Sequence, residues 1–93
     1  MLTPNYYCTI DDGTHTIVHR PSGQVFCLFM LDNIGNSATT DWVGIFKVES
    51  RDEFFTIDKM VNWFAGATCY DDDELFNIAI DYLNDYFFEE ESK

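Results

Sequence analysis

Basic residues are scarce in this chain of 93 residues: five Lys and Arg stand against seventeen Asp and Glu, for a formal charge of −12. A surface so poor in cations has little with which to neutralise phosphates, which disfavours direct contact with DNA, RNA or anionic membranes. Cysteine occurs three times, at Cys8, Cys27 and Cys69, an odd number without CxxC spacing. That pattern suits reduced thiols better than a disulfide or zinc framework, and Cys27, in the most apolar run, reads as a small core residue. No apolar run approaches the ~18 residues that suggest a membrane span, and the opening MLTPNYY lacks the basic and apolar regions of a signal peptide. The expected location is the cytoplasm. Internal repeats are absent, and no stretch carries a catalytic or cofactor signature.

What is present is apolar and aromatic. At 46% hydrophobic and 17% aromatic residues, the chain has enough to bury despite its charge, since disorder needs low hydrophobicity as well. The length predicts one domain, residues 1–93, with a single modest core. Asn5–Ile10 and Thr14–His19 are β-branched and aromatic segments joined by Asp11-Asp12-Gly13, and Asp-Gly tolerates the positive φ angles of a type I′ hairpin. Arg20-Pro21-Ser22-Gly23 is a second tight-turn signal. Gln24–Leu31 (QVFCLFML) is apolar at odd and even positions alike, as in a central strand covered on both faces. Asp32–Asp41 reads as a polar loop. Trp42–Glu49 is a fourth strand, with Gly44 marking a bulge or a close approach.

At Ser50 the period changes. Ser50 and Glu53 have capping-box spacing, and Phe54, Ile57, Val61 and Phe64 follow at helical intervals, which predicts a helix over Arg51–Ala65 stopped by Gly66. A variant keeps Phe54–Ile57 extended and starts the helix after Asp58. A further helix follows from Tyr70. The expected fold is α+β, in ββββαα order: a four-stranded antiparallel meander with two C-terminal helices packed on one face. Two helices cover one side only. The second apolar face of Gln24–Leu31 then requires curling of the sheet, loop cover, a partner or a second subunit, and a homodimer is the expected solution.

Tyr70–Lys93 holds nine of the seventeen acids and one of the five bases, a formal −8 of the −12. On a helix, Leu75, Phe76, Ala79, Ile80, Leu83, Tyr86 and Phe87 form one apolar stripe. Opposite lie Glu74, Asn77, Asp81, Asn84 and Asp85, with Phe88 among them and Glu89 at the edge. Asp71 or Asp72 suits the N-cap, and the acids beside it suit the positive end of the helix dipole. Glu89, Glu90 and Glu91 face the negative end instead, an arrangement unfavourable locally. Asp81, Asp85 and Glu89 are four apart, about 6 Å between neighbours, loosely comparable to phosphates along a strand. Interleaved aromatics and carboxylates suit recognition of a basic surface. The residues expected to bind a partner are Glu74, Asp81, Asp85, Phe88, Glu89 and Glu90.

Other chemistry is thin. His15 and His19 have chelating spacing for a helix but fall in a strand, where four residues span about 13 Å. Cys8 beside them lacks an orienting group or oxyanion hole. The DDDE run lacks the glycine and spacing of an EF-hand. No metal, cofactor or catalytic residue is assigned. The expectation is a non-enzymatic inhibitor or adaptor that binds a basic, nucleic-acid-handling protein, its acidic helix taking the groove meant for phosphates. In class, by no shared motif, it resembles the small acidic inhibitors that phages make against host defence nucleases, including anti-CRISPR and DNA-mimic proteins. The alternatives are an immunity or antitoxin protein neutralising a basic toxin, a small enzyme or metal protein using Cys8, His15 and His19, and a structural homo-oligomer.

Overall fold

The structure, a computed structural model, describes residues 1–31, 42–49, 59–66 and 69–91. Five strands, β1 (Tyr6–Asp11), β2 (Thr14–His19), β3 (Val25–Leu31), β4 (Trp42–Val48) and β5 (Met60–Ala65), precede one helix, α1 (Asp72–Glu91). The sheet order is β1-β2-β3-β4-β5 with every neighbouring pair antiparallel, a meander in which chain order and spatial order coincide. The β1–β2 hairpin closes at Asp12 (φ 51°) and Gly13 (φ 80°), the two positive angles that a type I′ turn requires. Gly23 (φ 76°) supplies the left-handed position of the next turn, and its N–H donates to the His19 carbonyl at 2.8 Å.

The α+β class holds, but among the described residues four strands and two helices are corrected to five strands and one helix. The expected helix over Arg51–Ala65 is overturned at its C-terminal end, where Met60–Ala65 pairs with β4; the variant starting after Asp58 fails for the same reason. Residues 51–58, with the Ser50 cap and Phe54 and Ile57, lie outside the described residues, as does the expected loop over 32–41. The misreading has a physical cause. Ile45 pairs with Asn62 while Phe46 pairs with Met60, so Val61 is an extra residue in a β-bulge. The bulge resets the alternation and lets Val61 and Phe64, three apart, both pack against the core. That is the spacing of a helix face, produced here by an irregular strand. Gly66 (φ 90°) follows the strand, and its carbonyl accepts from the Cys69 N–H at 2.9 Å.

Period-two alternation places Tyr6, Cys8, Ile17, Phe26, Leu28, Val43, Ile45 and Phe64 on one face of the sheet, and these meet Leu75, Phe76, Ala79 and Leu83 of α1. Ile17, Phe26, Ile45, Ala79 and Leu83 are fully buried. Each fully buried large side chain of this kind contributes about 1.5–3 kcal/mol relative to exposure, so this layer is the main source of stability. The other face carries Cys27 and Phe46, both buried, together with exposed Tyr7 and Trp63. Trp42 meets Trp63 edge-on with centroids 4.4 Å apart. Gly44 lies in the ladder between Phe29 and Trp63, beside the bulge. Among the described residues no helix covers this face, and no helix is long and apolar enough to cross a membrane.

Candidate functional site

Helix α1 starts where its sequence dictates. The Glu74 N–H donates to Asp71 Oδ1 at 2.8 Å and the Asp71 N–H donates to Glu74 Oε1 at 3.3 Å, a reciprocal box that satisfies two helix-end donors. Asp71 is therefore the N-cap, and Glu74, expected to face a partner, also caps its own helix. Asp72 turns toward the sheet, where its Oδ1 lies 2.7 Å from His15 Nε2.

The two histidines of β2 grip the helix near its two ends. His15 sits against Phe76, centroids 5.2 Å apart, and His19 stacks on Phe87 at 3.7 Å and 17°. His19 also contacts Tyr6 and Ser22 Oγ, and burial pushes its pKa down, partly offset by the Glu91 carboxylate. Between these points the Tyr6 hydroxyl donates to Asn84 Oδ1 at 2.8 Å. On the other flank Tyr82 lies parallel to Phe64 of β5, 5.8 Å away and 9° from coplanar. Contacts on both flanks fix the rotation of α1 about its axis, and with it the direction of every residue on its outer side. The histidine contacts are the part that sequence reasoning missed; their signal was that His15, Ile17 and His19 alternate onto the face that Ile17 buries.

With the rotation fixed, Asp81, Asp85, Phe88 and Glu89 are exposed, Phe88 by 71%. Among the described residues Asp81, Asp85 and Glu89 enter no ion pair and no side-chain hydrogen bond, unlike Asp72 and Glu74 of the first turn. Asp81 and Asp85 line a depression of ≈ 360 Å³ with Ile78 and Tyr82. Glu90 is set apart from them. It lines a cleft of ≈ 580 Å³ under the last turn, with Tyr86 and Phe87 on one side and Ser22–Val25 and Lys47–Glu49 on the other. There Lys59 and Lys47 both converge on Glu49, at 2.9 and 3.7 Å, and hydrogen bonding and charge from Lys59 hold the Glu49 carboxyl below its ordinary pKa.

Cys8 is buried, and that burial pushes its thiol pKa up, away from the thiolate a nucleophile needs. His15 and His19 are committed to Asp72 and to Phe87 on the helix. No group of three or more His, Cys, Asp or Glu among the described residues is placed to hold a metal ion. What the arrangement offers is a helix with eight carboxylates and no Lys or Arg over Asp72–Glu91, of which Asp81, Asp85 and Glu89 are exposed on its outer side with Phe88 beside them. No protein-family model, curated protein or solved structure matches this chain.

Proposed function

We propose that this protein is a non-enzymatic inhibitor or adaptor whose helix α1 binds a basic, nucleic-acid-handling protein. The observation that carries the proposal is the division of labour along the helix. Asp72 pairs with His15 and Glu74 closes the capping box with Asp71, whereas Asp81, Asp85 and Glu89 stand exposed and unpaired among the described residues, about 6 Å apart along the axis. Exposed like charges repel one another and do nothing for the helix that bears them. A basic groove would relieve that repulsion and would be steered toward it from solution. Phe88, exposed by 71% between Asp85 and Glu89, adds an anchor of the kind that dominates interface energetics. Inhibition follows from competition: a groove filled by this face is closed to phosphates.

The test is surface-plasmon kinetics with the partner captured from a lysate. Replacing Asp81, Asp85 and Glu89 with Asn, Asn and Gln preserves side-chain volume and leaves folding intact, but slows association and flattens its dependence on salt, since exposed charges are screened beyond about 8 Å at physiological ionic strength. DNA or RNA competes for the same groove. Unchanged binding by the triple variant would reduce the acidic face to a solubility device.

A further inference from the structure

The depression beside Tyr82 narrows the chemistry of the partner. Ile78 and Tyr82 are one helical turn apart, and so are Asp81 and Asp85, so an apolar row and an acidic row run side by side along its described walls. The Tyr82 ring cannot swing freely, because it lies parallel to Phe64 on β5 at 5.8 Å. At ≈ 360 Å³ the space is large enough to admit an inserted side chain.

We infer that this depression accepts an arginine side chain of the basic partner. The inference rests on the proposed function and goes further by choosing between the two basic side chains. A guanidinium is flat and weakly hydrated, stacks on an aromatic ring, and presents paired donors that match a carboxylate. A fixed ring beside two carboxylates meets all three properties. The lysine ammonium is a compact, strongly hydrated charge that gains from the carboxylates but less from the Tyr82 ring and the Ile78 wall. Asp81 and Asp85 have no competing cation among the described residues, so the negative charge of the rim is available to the incoming group.

The experiment uses the full chain and two synthetic peptides of equal length and charge, one of alternating glycine and arginine, the other of alternating glycine and lysine. Binding is followed by calorimetry and by amide chemical shifts at one fixed salt concentration. The arginine peptide should bind about tenfold more tightly, the equivalent of a partly desolvated cation–π contact, with its largest shifts at Ile78, Asp81, Tyr82 and Asp85. Tyr82→Leu should erase the preference for arginine. Because loss of the Phe64 contact can weaken the fold, the Asp81→Asn, Asp85→Asn double variant serves as a second arm, and it should weaken the arginine peptide more than the lysine peptide. Equal affinities, or shifts centred away from Tyr82, overturn the inference and leave the acidic-face reading standing. Binding of neither peptide overturns both. Concentration-dependent shifts at Tyr82 without peptide would assign the depression to a second copy of the chain and also overturn it.

Discussion

His19 lies face to face with Phe87, ring centroids 3.7 Å apart and planes 17° from parallel, so that a strand residue closes over the second-last turn of α1. Burial lowers the His19 pKa from its ordinary 6.5, with Glu91 opposing. The folded state therefore binds this proton less readily than the unfolded chain, and stability rises with pH wherever the unfolded state binds more protons. The contribution of neutral His19 is complete above about 6.5 and is lost as pH falls from there through the lower folded value. Urea midpoints at pH 7.5 and 5.5 should fall on acidification, and by less in His19→Phe, which keeps a ring on Phe87 and cannot titrate. Equal pH dependence in the two proteins would exclude His19 as the source.

The reciprocal bonds of Asp71 and Glu74 make a second prediction. Asp71→Ala removes the acceptor of the Glu74 N–H and should cost about 1 kcal/mol, a noticeable part of the roughly 5–15 kcal/mol expected of a domain. Glu74→Gln keeps an acceptor in the box and should be close to neutral in equilibrium unfolding. If Glu74→Gln instead weakened partner binding without touching stability, Glu74 would serve the interface as well as the cap.

Thiol chemistry should separate the three cysteines. Cys8 and Cys27 are buried with pKa values raised by that burial, whereas Cys69 is exposed. Iodoacetamide at mildly alkaline pH should add once, at Cys69, and reach the other two only after unfolding. Peptide mass mapping that found rapid native-state labelling of Cys8 would reopen its candidacy as a nucleophile.

Phe88, 71% exposed, should contribute to residence time more than to folding. Phe88→Ala should lower the unfolding free energy by no more than about 1 kcal/mol, and should speed dissociation from the captured partner with little change in association. A variant that slowed association only would place the ring outside the contact.

The face of the sheet opposite α1 supports one more expectation. Tyr7 and Trp63 are 48% and 41% exposed there, and we expect self-association through this face, with a dimer as the product. Trp63→Lys should shift sedimentation toward monomer, with a loss of stability of about 1 kcal/mol from the Trp42 contact. A strictly monomeric parent from micromolar to near-millimolar concentration would remove the proposal.

Much of this architecture is legible in local chemistry. Asp12-Gly13 specifies the first hairpin because few other pairs tolerate two positive φ angles, and the β-branched and aromatic runs around it yield β1 to β4 within a residue or so of their observed bounds. The Leu75–Phe87 stripe specifies α1 and its buried side. β5 is not legible, because its bulge gives Val61 and Phe64 a helical spacing, and only pairing with β4 shows the segment to be extended.

The sequence by itself determined the acidic surplus, its concentration after Tyr70 and the amphipathic helix that carries it, since charge and a 3.6-residue period are local properties of the chain. Tertiary structure decided which acids remain for a partner. Asp72 goes to His15 and Glu74 to the cap, Glu90 goes under the last turn, and Asp81 and Asp85 flank Tyr82. The reason is rotational: a helix stripe spans a broad arc, and the direction of each outer residue is fixed only when contacts distant in sequence, Tyr6 to Asn84 on one flank and Phe64 to Tyr82 on the other, lock the helix about its axis.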